Sequence, residues 1–360
     1  MSETAAIPVS KRDLRTIDIV GLVLVGLCLV ALVAKPEFIA GVFDAMLNKA
    51  FPIIVKVFLT GKVGVAIIIS VLIGRILERL GFTDALMRIF LPVTRMIGVN
   101  TAVLVPSVYN ILGDINAAGR IAGPILVKAG ATRDEQKMAI CTMVQSQQSF
   151  STFMFCLVAL TAINARVFVV VLLSVFAPLV VVPLLMRFTL WRDAKAVPLE
   201  EMPRFTPETG FLPTIFGAAR EGAELLFLLI IPAVGVIFAL IGALEYVGVW
   251  KPMESGLTSM LSALSIHPDT GIVSILASPT LATAQLKDIA ATLPPNLVIG
   301  SVMLAASGFP LSVIFGQIPA IWSDATELNH REAMGAAVIG AVMRVLTAGA
   351  VATLLTPLLV

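Results

Sequence analysis

What the chain has little of narrows its class first. Only 13% of its 360 residues are charged and 58% are hydrophobic, whereas a soluble globular domain carries about 25% charged and roughly 45–50% apolar residues. A water-soluble fold of this size cannot hide that much apolar surface, because a large share of any folded surface faces its solvent. The bilayer is therefore the expected solvent. The two histidines, His267 and His330, stand far apart with no cysteine or carboxylate at ligand spacing, so no metalloenzyme signature is present. Cys28, Cys141 and Cys156 all lie in apolar runs and read as small buried hydrophobes. A net charge of +2, with no basic cluster interleaved with aromatics, argues against nucleic acid. No G-x-x-x-x-G-K-[ST] phosphate loop occurs, so the chain itself cannot hydrolyse ATP. No base–nucleophile pair accompanies its acidic residues and serines, and an enzyme is not expected.

What is present is apolar sequence in long runs. Backbone groups in lipid must be satisfied within the segment, so runs of about 20 apolar residues read as helices. The clearest are Ile19–Ala34, Pro52–Leu77, Lys137–Ala162, Val167–Met186, Leu225–Leu244, Leu297–Ile318 and Ala333–Leu359. KRDLR at Lys11–Arg15 precedes the first run, which reads as a retained signal-anchor helix, the alternative being cleavage after Ala34. Asp44 and Lys49 make Glu37–Ala50 an outer-surface helix rather than a further span. Prolines and charges between Phe188 and Gly222 mark an extra-membrane linker.

The two sides of that linker resemble each other. Val63–Val65 leads to Ile73–Phe82 much as Val234–Val236 leads to Ile241–Trp250, and both contain Leu-Glu-x-x-Gly, at Leu77–Gly81 and Leu244–Gly248. An amphipathic segment follows in each, Thr83–Ile97 and Lys251–Leu264, too short to span and expected in the interface. A polar-interrupted stretch comes next, Thr101–Gly130 or Thr270–Leu293, read as a re-entrant hairpin. A helix with a broken middle then follows, QSQQSFST at Gln145–Thr152 against AASGFPLS at Ala305–Ser312. Their common order makes an internal duplication. Three spans plus one hairpin per copy is odd, so the second copy is inverted. The expected fold is an all-α polytopic membrane protein of two inverted repeats, each with an interfacial helix, a re-entrant hairpin and interrupted spanning helices. Its parts are an N-terminal membrane helix plus surface helix (1–50), repeat 1 (51–188, hairpin 101–130), a cytoplasmic linker (189–221) and repeat 2 (222–360, hairpin 270–293). With the N-terminus cytoplasmic and the C-terminus outside, Lys and Arg divide about two to one in favour of the inside, which fits a cell inner membrane.

The polar interruptions are the candidate site. Irregular backbone at membrane depth is tolerated where it meets protein or a wet cavity, and inverted repeats that bring two such tips together bind solute at their interface. The first hairpin supplies Asn110, Asp114 and Asn116; the second supplies Ser278, Thr280, Thr283 and Gln285. The broken helices supply Gln145, Gln147, Gln148, Ser149, Ser151, Ser307 and Ser312. These fourteen are the expected substrate contacts. Helix-to-helix hydrogen bonding accounts for two or three such residues, not for the run at Gln145–Thr152. Asp114 and Thr152 are the candidates for a coupling ion, sodium or a proton; the other reading of Asp114 is a salt bridge with Arg120. Glu78 and Glu245 read as anchors for the surface helices, Asp288 as an outer-interface residue beside Lys287, and Arg75 and Arg344 as snorkelling or paired.

This order of parts resembles the concentrative nucleoside transporter fold. More broadly it resembles the nucleoside-recognition or "Gate" domain superfamily, which also includes membrane parts of ferrous-iron transporter B and spore maturation proteins. The resemblance is carried by Gly217–Gly248 with its following surface helix and by NILGDIN at Asn110–Asn116, and it covers roughly Phe51 to the C-terminus. GDIN and TAQLKD stand where nucleoside transporters have a Gly-Gln-Thr-Glu motif and an Asn-Glu pair. It implies elevator-type movement of the hairpin domain and a homo-oligomer, trimer or dimer. The expected function is ion-coupled secondary transport of a small polar solute (nucleoside-like, nucleobase or amine) with no cofactor beyond the ion. The alternative is a Gate-type membrane subunit or scaffold that acts with a partner protein and does not itself transport.

Overall fold

The computed structural model describes residues 15–113, 115–146, 149–197, 204–307 and 310–360, apart from the side chains of Leu91 and Asn116. Among the described residues every regular element is helical. The chain runs through α1 (Thr16–Ala34), α2 (Pro36–Leu59), α3 (Lys62–Arg79), α4 (Phe82–Ile97), α5 (Val105–Asn110), α6 (Ile115–Lys128), α7 (Arg133–Gln145) and α8 (Phe150–Ala162). It continues through α9 (Val167–Phe188), α10 (Phe211–Tyr246), α11 (Trp250–Ala263), α12 (Pro268–Leu276), α13 (Pro279–Ile289), α14 (Pro295–Ala305), α15 (Ile318–Ala325) and α16 (His330–Leu359). Helices α1, α2, α9, α10 and α16 are long and apolar enough to cross a membrane. Helix α1 is apolar all round yet has no buried residue. Water would oppose that exposure by roughly 25 cal/mol per Å² of apolar surface, and lipid would not.

The spine of the molecule is a pair of long antiparallel rods. One is α2 followed by α3; the other is the single helix α10. Gly242 lies against Ala45, Gly235 against Ile54, Leu226 against Gly64 and Gly222 against Ile68, so one number rises as the other falls along the whole length. Small residues let the backbones approach: a Cβ on Gly242 would sit 2.4 Å from the Ala45 carbonyl oxygen. Ion pairs join the rods near their two ends, Lys49 with Glu245 and Arg75 with Glu221. Midway, each rod widens into a π-helical turn, at Ile53–Leu59 and at Leu225–Ile230.

This spine corrects five expectations. The segment Glu37–Ala50 is no separate surface helix but the first part of α2, packed along α10. Its charges are absorbed locally, Asp44 by the Asn48 amide at 2.9 Å and Lys49 by Glu245. The boundary expected at residue 50 thus falls inside a helix. Pro52, which has no N–H to give, is followed by the π-helical turn rather than by a helix end. The run expected as one span, Pro52–Leu77, is divided instead at Thr60–Gly61. The linker expected through residue 221 also ends early, because α10 begins at Phe211; two of the charges in its first turns, Arg220 and Glu224, form an exposed i,i+4 pair. Glu78 and Glu245 do not anchor the amphipathic helices: Glu78 bonds Arg75 one turn earlier, and Glu245 bonds Lys49.

Around the spine, short helices fold back in pairs. Helix α5 packs against α6, and α12 against α13. The second arm of each pair then packs on the far half of an interrupted helix from the other side of the chain, α6 on α15 and α13 on α8. Amphipathic α4 begins and ends at left-handed glycines, Gly81 and Gly98. Near its start, Asp84 accepts from the Phe205 and Thr206 amides (2.8 and 3.1 Å) and from the Thr206 hydroxyl, which ties the linker to this helix.

Candidate functional site

The interruptions of the helices come together at helix starts. Ser149 caps α8 by accepting from the Thr152 amide at 3.2 Å, and Ser278 caps α13 by accepting from the Leu281 amide at 3.3 Å. A serine at this position satisfies one of the unpaired amides of the first turn. The two starts meet through their hydroxyls. Thr280 lies 2.9 Å from Thr152 and 3.3 Å from Ser149, and Ser149 lies 2.8 Å from Thr152 and 3.1 Å from Ser151. Two half-helix N-termini, each the positive end of its dipole, are thereby held side by side.

A cavity of about 130 Å³ opens beside this cluster. Segments from both sides of the linker line it: α3 with Ile67, Ser70 and Arg75; the α5–α6 turn with Leu112 and Gly113; Ser149–Ser151; α10 with Glu221 and Leu225; Ala277–Thr280; and Pro310, Ser312 and Gln317. Its wall is mostly apolar, with a few fixed polar groups, the usual make-up of a small-molecule site. The charged part is Arg75, whose Nε and Nη2 donate to Glu221 at 2.8 and 2.5 Å while its remaining nitrogen reaches Glu78. A second cavity, also about 130 Å³, is lined by Lys49, Phe238, Trp250, Glu254 and Asp269, and it shares Ala277 with the first. The turn between α12 and α13 therefore borders both cavities, one containing Arg75 and the other Lys49, residues from opposite ends of the spine.

Of the fourteen expected contacts, Ser149, Ser151, Ser278, Thr280 and Ser312 line the first cavity. Five others do not. Asn110 is buried and donates to the Ser146 hydroxyl at 3.2 Å, leaving its Oδ1 unpartnered. Gln145 donates to the Gly340 carbonyl, and Ser307 to the Leu304 carbonyl at 3.1 Å. Thr283 bonds back to the Pro279 carbonyl at 2.9 Å. Gln285 is half-buried on α13 away from the lining. Thr152 is buried behind Ser149 and Thr280. Asp114, Gln147 and Gln148, with the side chain of Asn116, lie outside the described residues.

Arg75 and Glu221 were not among the expected contacts. Glu221 falls at the edge of a segment read as linker, so its pairing with Arg75 on α3 was hidden. Arg344 does not snorkel, being 1% exposed, and no carboxylate pairs with it among the described residues. Cys141 and Cys156 are buried as expected, whereas Cys28 is exposed on α1. The ring of His267 caps α12 through Thr270. No cluster of three or more metal-ligating side chains occurs among the described residues.

No family model, curated protein or solved structure matches this chain.

Proposed function

We propose that the chain is a secondary membrane transporter of a small polar solute, built as an inverted duplication of the nucleoside-recognition (Gate) kind and placed in a cell inner membrane. One observation carries the reading: interruptions from both sides of the linker border a single cavity, and the turn before α13 separates it from a second one. Inverted repeats with discontinuous helices meeting around a solute are a recurring transporter design. Three features support the inversion. Segments alike in sequence, around Val63–Val65 and Val234–Val236, lie on antiparallel rods. Both rods carry a π-helical turn at matching places. The arms α6 and α13 cross reciprocally onto α15 and α8.

The lining favours a neutral solute with both donors and acceptors, such as a nucleoside or nucleobase. Among the described lining residues one cation, Arg75, meets one anion, Glu221, with Glu78 bonded to Arg75 outside the lining, and the remaining polar groups there are hydroxyls and an amide. Asp114 remains the proposed coupling group, with a proton or sodium as the ion. The test is counterflow of labelled nucleosides, bases and amines into proteoliposomes containing only this chain. Saturable exchange supports the transporter. Robust binding of a partner protein, with no exchange of any solute, replaces it with the subunit or scaffold reading.

A further inference from the structure

Arg344 sits midway along α16, buried, with no acid beside it among the described residues. Its Nη1 donates to the Ser174 carbonyl at 3.1 Å and to the Gln145 carbonyl at 3.4 Å, and its Nη2 donates to the Ala306 carbonyl at 2.5 Å. These acceptors are not arbitrary. Gln145 is the last residue of α7, and Ala306 directly follows α14, so both carbonyls belong to the C-terminal ends of the interrupted helices. Ser174 lies in a π-helical turn of α9, where the i→i+4 ladder is disturbed. Each helix C-terminus carries roughly −0.5 elementary charge; two of them sum to about −1, which balances one guanidinium. A fully buried arginine without such compensation would be strongly disfavoured. Among the described residues the Nε atom has no partner, and the hydrogen bonds that hold the group all go to carbonyls.

Carbonyls and half-helix C-termini of this kind are what coordinates a sodium ion in ion-coupled permeases with broken helices. We infer that Arg344 is a tethered counter-cation occupying that position, so these helix ends take no alkali cation and solute moves without sodium. The clause about solute rests on the transporter reading; the carbonyl site does not. Within the proposed function this leaves the proton as the coupling ion.

The experiment measures the unfolding midpoint of the purified full chain in sodium chloride and in choline chloride, for the wild type and for Arg344→Lys and Arg344→Ala. The wild type is expected to show no shift between the salts. Arg344→Ala is expected to unfold earlier in choline and to recover part of the loss in sodium, since the emptied carbonyl cage then accepts the ion. Arg344→Lys, with its own ammonium, should recover stability without sodium. A sodium-dependent rise in the wild type overturns the inference, as does an Arg344→Ala variant that no cation and no lysine restores. If Arg344→Ala cannot be isolated, the wild type and Arg344→Lys decide: indifference to sodium in both supports the inference, and dependence in either refutes it. Counterflow that is equal in sodium and in choline supports the transport clause. Counterflow only in sodium overturns that clause, whereas an absence of counterflow in every salt counts against the transporter reading and leaves the carbonyl site standing.

Discussion

Thr152 and Thr280 join two helix starts that are 128 residues apart in the chain through a hydroxyl contact of 2.9 Å. Valine replaces threonine with almost no change in shape, so each substitution removes the hydroxyl alone. A net intramolecular hydrogen bond contributes about 1 ± 0.5 kcal/mol. Thr280→Val loses its contacts to Thr152 and, at a longer 3.3 Å, to Ser149, and should cost about 1–2 kcal/mol on that scale. Thr152→Val loses the shared bond and the 2.8 Å bond to Ser149, a similar loss. The cap from Ser149 to the Thr152 amide survives in both variants. The double variant loses the shared bond only once, so the two effects should fall short of their sum by about 1 kcal/mol, well above the few tenths within which independent sites add. Reversible unfolding in mixed micelles measures all four states of the cycle. Additive effects would refute the claim that the two half-helix starts are bonded to each other. Because Thr280 also lines the cavity, Thr280→Val should weaken solute binding by about fivefold if its hydroxyl contacts the solute, while Thr280→Ser retains the affinity.

Three further outcomes are expected. Gly242→Ala should destabilise by about 1–3 kcal/mol, the usual cost of overpacking, because its Cβ meets the Ala45 carbonyl oxygen; an unchanged unfolding midpoint would contradict the close approach of the rods. Arg75→Gln should destabilise more than Glu221→Gln, since losing the arginine leaves Glu78 and Glu221 unpaired together, whereas losing Glu221 leaves Arg75 bonded to Glu78; the reverse order in a thermal scan would refute this arrangement. Burial alone would raise the Asp84 carboxyl, but hydrogen bonds from the Thr206 hydroxyl and the Phe205 and Thr206 amides outweigh it and hold the group below the ordinary carboxylate range. A lowered folded pKa contributes stability above the unfolded value of about 3.9 that is lost as pH falls through the folded value. Asp84→Asn should therefore mimic the acid state at neutral pH, with faster amide exchange at Phe205 and Thr206, and unchanged protection there would refute the tether.

Much of the helical plan was legible because hydropathy reports the solvent of a membrane chain. The ends of α1, α9 and α16 lie near those of their apolar runs, and Ser149, Ser278 and Thr280 stood out as polar residues in apolar surroundings. Charges caused the misreadings. Asp44 and Lys49 look like surface residues until Asn48 and Glu245 are placed beside them, and Glu221 looks like linker until Arg75 faces it. Lys49 with Glu245 and Arg75 with Glu221 join residues nearly 150 or more positions apart, a separation that no local pattern records. Gln145 and Ser307 misled in another way: Gln145 bonds the Gly340 carbonyl of α16 and Ser307 the Leu304 carbonyl of its own helix, so the polarity of an interrupted helix divides between lining a cavity and satisfying backbone carbonyls. Arg344 combines both lessons, since two of its carbonyl partners, Gln145 and Ala306, are free only because two helices end there.

The most direct measurement of the inverted duplication is the side from which each folded-back arm can be reached. Single cysteines at Lys128, the last residue of α6, and at Thr292, just beyond α13, both exposed, are introduced into a chain freed of Cys28, Cys141 and Cys156. They are then labelled with a membrane-impermeant thiol reagent in right-side-out and inside-out vesicles. The account expects position 128 to react from the cytoplasmic face and position 292 from the opposite face. Reaction of both from the same face would contradict it.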